Sequence, residues 1–172
     1  TTATPLSGPA PGMARSSDGV NYLPAPAMQI DWVGITPVGM ELGGAAKING
    51  SYYVLVGMAG IGGNAYSIYT FKSDTGVNGT YAPDPRAFRL SGQTVLGSVN
   101  GTDSAAPYLA DFALNYDTGK YMVTQYMSMP NTDPKKRSLV GGGDVWLLPL
   151  REPVIDANGL LHLGWWPGNE KL

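Results

Sequence analysis

The same hairpin pattern occurs twice in this chain, and the repetition restricts the possible folds more than any other feature. Residues 47–57 read KINGSYYVLVG, and residues 115–126 read NYDTGKYMVTQY. In both segments a polar turn ending in Gly precedes a run of tyrosines and β-branched or aliphatic residues, which is typical of a β-hairpin. A supersecondary unit that recurs in this way predicts a repeat architecture made of strands.

Further strand patterns flank both hairpins in the same order. In the first copy, the strand LGGAAKI precedes the turn. The turn is followed by the strand AYSIYTFKS, then by DTGVNGTYAPDP, which predicts a turn and a returning strand, and then by the short outer strand AFRLSG. In the second copy, YLADFALNY precedes the turn, and DVWLLPLRE, a DANG turn and LLHLGWW follow it. An earlier segment, RSSDGVNYLPAP, matches the end of the first copy and predicts a strand end, a turn and a short return. Each full copy therefore predicts four antiparallel strands, at an offset of about 70 residues.

Repeated four-stranded antiparallel sheets predict an all-β fold built from β-propeller blades. We predict an extended arm and the tail of a preceding blade in residues 1–34, one blade in 35–96 and a second in 97–172. The alternative is a β-sandwich, since eight strands can also pair face to face as two sheets. Propellers close with about 4–8 blades, so we expect these residues to be an internal portion whose remaining blades come from the same or another chain.

Composition excludes several classes of function. The net charge of −2 and a pI near 5.2 argue against nucleic acid or an anionic membrane surface as partner. With no Cys and a single His, thiolate chemistry and a multi-His zinc site are excluded within these residues. No apolar run approaches the length of about 20 residues that a membrane-spanning helix needs. We expect neither a metal nor another cofactor, and no insertion into a membrane.

Three segments match the acceptor pattern for N-glycosylation, at Asn49, Asn78 and Asn100. All three are followed by Gly, which predicts turns with room for a glycan. They favour an extracellular or secretory glycoprotein. The alternative interpretation is that they are ordinary Asn-Gly turns.

Several segments are similar to those of known enzymes. MELGGAAKINGSYYVLVG resembles the start of a blade in five-bladed β-propeller glycoside hydrolases, especially the invertases and fructan hydrolases of glycosyl hydrolase family 32. SSDGVNYLPAP resembles a phrase that ends a strand in these enzymes, and PLREPVIDANGLLHLGWWPGNEKL resembles the end of an inner blade in distant members. The family's N-D-P-N-G and R-D-P motifs are not present in these 172 residues.

The resemblance implies a glycosidase mechanism with two carboxylates across the glycosidic bond. In the family the acid/base Glu begins the inner strand of the third blade, and Glu41 holds that position here, followed by Leu42 where the family usually has Cys. The nucleophile and the stabilising Asp come from earlier blades, so catalysis requires the missing blades to supply them. Between Met40 and LGGAA, Glu41 is expected to be partly desolvated; the alternative is a solvated Glu at a strand end.

Three other residues are candidates for binding sugar. Asp111 is the counterpart of Glu41 on the next inner strand, where it either lines the central funnel or pairs with an Arg of a neighbouring blade. Asp31 and Trp32 together offer a carboxylate and a stacking face, although core packing is the alternative for Trp32.

Two functions therefore remain open: a secreted glycosidase acting on fructan or arabinan, and a non-catalytic propeller that binds carbohydrate or serves as a structural glycoprotein. A β-sandwich adhesion module is a third possibility.

Overall fold

The computed structural model describes residues 10–32, 38–59, 67–83, 89–91, 94–95, 104–128 and 145–171. Within these ranges the chain consists of β-strands and turns, with one short 3-10 helix at Pro167–Lys171. No helix in this part of the chain is long and apolar enough to cross a membrane. The prediction of an all-β fold with antiparallel sheets is confirmed.

The strands are short at the amino terminus and long in the two repeated hairpins. Their bounds are β1 Met13–Arg15, β2 Leu23–Ala25, β3 Gln29–Ile30, β4 Val38–Ile48, β5 Ser51–Ala59, β6 Ser67–Ser73, β7 Thr80–Pro83, β8 Arg89–Ser91, β9 Thr94–Val95, β10 Ser104–Asn115, β11 Lys120–Ser128, β12 Val145–Leu147, β13 Arg151–Ile155 and β14 Leu161–Trp165.

The first sheet has the strand order β3-β7-β6-β5-β4, and the second has the order β14-β13-β11-β10-β9. In the first sheet, β4 to β7 are sequential antiparallel neighbours, and β3 adds to β7 in parallel. In the second sheet, β10, β11, β13 and β14 repeat the sequential antiparallel order. The segment predicted as a short outer strand contains β8, which pairs with β6.

Turn chemistry fixes both repeated hairpins. In the first, Asn49 and Gly50 both have positive φ, 50° and 90°, which gives the two-residue turn whose twist matches that of the strands. In the second, the Asn115 side chain accepts hydrogen bonds from the backbone N–H groups of Asp117 (3.0 Å) and Thr118 (3.2 Å). Gly119, with φ 66°, then completes the loop. Both turns lie at the predicted positions.

The amino-terminal hairpin of β1 and β2 also follows the prediction of a strand end, a turn and a return. Asp18 organises its turn, because one carboxylate oxygen accepts the backbone N–H groups of Val20 (2.9 Å) and Asn21 (2.8 Å) and the Ser16 hydroxyl (2.8 Å). These hydrogen bonds, those from Asn21 foremost, hold the pKa of Asp18 well below its usual range.

The prediction of one continuous third strand in the second repeat, DVWLLPLRE, is wrong. The segment forms two strands, β12 and β13, which both pair with β11 on either side of Pro149. Proline has no N–H to donate and interrupts a strand ladder. Next to Pro149, the side-chain oxygen of Asn169 accepts a hydrogen bond from the N–H of Leu150 (3.1 Å), and its side-chain nitrogen donates one to the Leu150 carbonyl (2.8 Å). The Asn169 amide therefore takes the place of a neighbouring strand.

Two apolar cores hold the sheets. In the first core, one face of the first sheet packs against residues that precede the sheet in the sequence. Its members are Met28, Ile30, Trp32, Val54, Val56, Met58, Tyr69, Phe71 and Tyr81. The second lies between the two sheets and contains Tyr53, Leu55, Ile68, Ala110, Val123 and Leu161. Strand β5 contributes to both cores, because successive side chains of a strand point to opposite faces of the sheet. The Tyr53 hydroxyl also bridges the sheets by donating to the carbonyl of Gly159 (3.1 Å).

The sheets approach most closely where β4 meets β10. A Cβ added to Gly43 would lie 1.8 Å from the Ala110 carbonyl oxygen, and one added to Gly44 would lie 2.6 Å from the Phe112 nitrogen. The register of β4 against β5 also shifts between Leu42 and Ala45, so a bulge lies at this point. The absence of a Cβ at both glycines lets the edge of β4 contact the backbone of β10. We call this contact the sheet junction.

Candidate functional site

Glu41 lies on β4, opposite Gly57 of β5, and its side chain is exposed. It is within electrostatic reach of Tyr126, which lies near the end of β11 in the second sheet. Burial, and in second place the negative charge of Glu41, raise the pKa of the Tyr126 phenol. The phenol is therefore a neutral hydrogen-bond donor at physiological pH, close to an accessible carboxylate.

Asp111 lies on β10 and also has an exposed side chain. Its carboxylate covers the backbone of β4, since a Cβ on Gly44 would lie 1.9 Å from one carboxylate oxygen. Opposite Asp111 on β11 is Thr124, whose hydroxyl donates to the Asp111 carbonyl oxygen (3.4 Å). The carboxylate of the second sheet is therefore seated over the strand that carries Glu41.

At the sheet junction, Asp111 therefore lies against β4, the strand that carries Glu41, and Glu41 lies within electrostatic reach of Tyr126, although the chain order separates the three residues widely. Two exposed carboxylates and a phenol can accept and donate several hydrogen bonds to one polar ligand. In the described part of the chain, no group of three or more Asp, Glu or His side chains is placed to hold a metal ion.

The structure places Trp32 in the first core, where it is only 5 % exposed. Its indole makes an edge-to-face contact with Phe71, with ring centroids 5.3 Å apart and planes at 77°. This favours the core interpretation of Trp32 and leaves no open ring face for a sugar. The neighbouring Asp31 is exposed, and its backbone N–H donates to the carbonyl of Tyr81 (2.8 Å).

Of the three glycosylation candidates, Asn49 and Asn78 lie in exposed turns. Asn49 is the first residue of the tight β4–β5 turn, and Asn78 belongs to the longer turn between β6 and β7. Asn100 lies outside the described residues.

The sequence pattern did not predict a role for Tyr126, although the residue lies in the second repeated hairpin. Within that strand Tyr126 is one of two tyrosines, and no local pattern distinguishes it from Tyr121. Only the contact between β4 and the second sheet brings it near Glu41. To predict the proximity of Tyr126 and Glu41, one must know that strands far apart in the sequence lie next to each other.

No protein-family model, no curated protein and no solved structure matches this chain. The resemblance to glycoside hydrolases therefore rests on the quoted segments alone.

Proposed function

We propose that this protein binds carbohydrate at the sheet junction. The observation that carries the proposal is the placement of Glu41 and Asp111, two exposed carboxylates, on contacting strands of different sheets, beside the Tyr126 phenol. Vicinal sugar hydroxyls donate to carboxylates in strong, charge-assisted hydrogen bonds. The Tyr126 phenol beside Glu41 adds a polar group at the rim of the site.

On the basis of the resemblance to glycosidases, we further propose that the two sheets are blades of a β-propeller. Each sheet contains four sequential antiparallel strands, and the first strands of the two units, β4 and β10, are in contact with each other. This arrangement is consistent with two successive blades whose inner strands lie side by side. On the second sheet, Val154 is 44 % exposed, which is consistent with apolar surface for a further blade.

Binding is favoured over catalysis by the exposure of both carboxylates. The general acid of a glycosidase acts from an apolar setting, and its partner carboxylate lies across the bond to be cleaved. The resemblance nevertheless assigns the acid to Glu41, with a nucleophile from another blade. The experiment below therefore measures affinity and turnover together.

Affinity for fructo-oligosaccharides and arabino-oligosaccharides should be measured by calorimetry on the wild-type protein and on Glu41→Gln, Asp111→Asn and Glu170→Gln. Each amide keeps the shape of the side chain but removes its charge, so the two junction variants should bind about tenfold more weakly, on the scale of a charged hydrogen bond. Glu170 is an exposed acid on the 3-10 helix and serves as the matched control.

Turnover separates binding from catalysis. If Glu41 is a general acid, Glu41→Gln should bind the sugar yet lower turnover a hundredfold or more, the usual scale for losing that group. If the junction only binds, the wild-type protein should show no turnover and the same variant should lose affinity. Wild-type affinity in both junction variants, or no binding of either oligosaccharide, would refute the proposal.

The same proposal places the protein in the secretory pathway, with glycans in the Asn-Gly turns. Asn78 should carry a glycan more readily than Asn49, because the two-residue turn at Asn49 leaves less room. Peptide mapping of native material checks this, and unmodified acceptor sites throughout would remove the argument for an extracellular location.

A further inference from the structure

A second candidate site lies on the second sheet, where the third strand of the repeat is broken. The interruption at Pro149 leaves a pocket of about 470 Å³, a volume within the range of small-molecule sites. Its apolar lining comes from Leu147, Leu148, Pro149, Leu150 and Trp165. A continuous ladder, as β6 forms in the first sheet, would have closed this space.

The apolar lining is accessible to solvent. Leu147 is 82 % exposed and Trp165 is 47 % exposed. The Arg151 guanidinium stacks over the Trp165 ring, with its central carbon 5.2 Å from the ring centroid, which holds the indole in place. Large apolar side chains that remain exposed beside a pocket are typical of a surface that a ligand covers.

One buried polar group in the lining lacks a partner. Gln125 lies on β11, is only 5 % exposed, and lines the pocket. Its side-chain nitrogen has no hydrogen-bond partner among the described residues. Leaving a buried amide N–H unpaired costs free energy, so such a group in a native protein requires an explanation.

The other polar side chains of the lining are already engaged. The Asn169 amide uses its oxygen and its nitrogen on the backbone of Leu150. The Thr124 hydroxyl donates to the carbonyl of Asp111. Gln125 therefore supplies the one uncommitted amide donor in the described lining.

We propose that this pocket binds a small molecule with an apolar ring and a single oxygen acceptor, such as a ketone or an ether. The ring packs against Trp165 and Leu147, and the oxygen accepts a hydrogen bond from the Gln125 amide. A sugar is disfavoured here, because most of its hydroxyls would be buried against leucines without partners. This inference is independent of the carbohydrate site at the sheet junction.

Acetophenone and toluene are a suitable pair of probes, because both carry a phenyl ring and only acetophenone carries an acceptor. Their affinities for the wild-type protein should be measured by saturation-transfer NMR titration. Acetophenone should bind at least fivefold more tightly than toluene. In Gln125→Leu the preference should disappear, since the leucine retains apolar contact but donates no hydrogen bond.

Leu147→Asn and Val20→Asn are the second pair of variants. Leu147 and Val20 are both strongly exposed aliphatic residues, so neither substitution disturbs a core, and only Leu147 lines the pocket. Leu147→Asn should weaken both probes severalfold, and Val20→Asn should leave them unchanged. These variants decide the question even if Gln125→Leu does not fold. The absence of saturable binding, equal affinities of the two probes for the wild-type protein, or an unchanged affinity in Leu147→Asn would overturn the proposal.

Discussion

Replacing Gly43 by Ala should destabilise the protein more than any other single methyl addition in the described chain. The added carbon would lie 1.8 Å from the Ala110 carbonyl oxygen and 3.1 Å from the Leu55 carbonyl oxygen. Both of these are backbone atoms, so no side chain can rotate away to make room. The new methyl group is trapped between β5 on one side and β10 on the other.

The geometry gives the magnitude. A carbon and an oxygen that are not bonded to each other approach to about 3.3 Å, so β4 and β10 would have to separate by roughly 1.5 Å. A gap of about 1 Å already forfeits up to half of the dispersion energy between facing atoms. The affected atoms belong to the core between the sheets, including Ala110 and Leu55. We expect a loss of about 3 kcal/mol, the upper end of the usual cost of overpacking.

Urea unfolding followed by circular dichroism measures this loss, and Gly12→Ala is the matched control. A Cβ on Gly12 meets nothing within 4 Å, so that variant should be neutral or stabilised by about 0.5 kcal/mol through the unfolded state. In a thermal melt, Gly43→Ala should unfold roughly 6–12 °C lower than the wild-type protein. If Gly43→Ala and Gly12→Ala unfold at the same urea concentration, the close contact at the sheet junction does not exist.

Three further predictions concern side chains that hold the backbone or join the two sheets by hydrogen bonds. The pKa of Asp156 is lowered chiefly by the backbone N–H of Leu160, so its stabilising effect is present above about pH 4 and is lost as the pH falls through the folded value. Asp156→Asn should therefore flatten the acid side of a plot of urea midpoint against pH, and an unchanged slope would refute this. Asn169→Ala leaves both backbone groups of Leu150 without this partner and should cost about 2 kcal/mol in urea unfolding, whereas Asn169→Asp should restore only part of the loss, because a carboxylate accepts the N–H of Leu150 but cannot donate to its carbonyl. Tyr53→Phe removes one hydrogen bond between the sheets and should cost about 1 kcal/mol; an unaltered midpoint would show that this bond adds no stability.

Local chemistry determined the parts of the fold that were predicted. An Asn-Gly pair adopts positive φ at low cost, and an Asn or Asp side chain can hold its own turn, so the hairpin at Asn49 and the loop after Asn115 follow from a few adjacent residues. The strands on either side are rich in Tyr, Val and Ile, which fit a pleated, half-buried surface. The 3-10 helix at Pro167–Lys171 was not predicted, because five residues carry too little periodic signal.

Contacts between distant segments determined the rest. Proline at position 149 predicts that a strand is weakened, but pairing with β11 and β14, together with the Asn169 amide nineteen residues beyond Leu150, lets the chain continue as a second strand. In the same way, the sequence places Trp32 beside a carboxylate, and the proximity of Phe71 decides that its ring is buried.

The sequence by itself therefore determined the repeated hairpins and their turns, because each depends on the conformational preferences of neighbouring residues. It also marked Glu41 and Asp111 as acidic residues on corresponding strands of the two repeats, one register step apart. The tertiary structure alone decided that their strands touch through Gly43 and Gly44, that Tyr126 lies near Glu41, and that a pocket opens beside Gln125. These features arise from the packing of one sheet against the other, and the energy of that packing depends on residues that no local pattern connects.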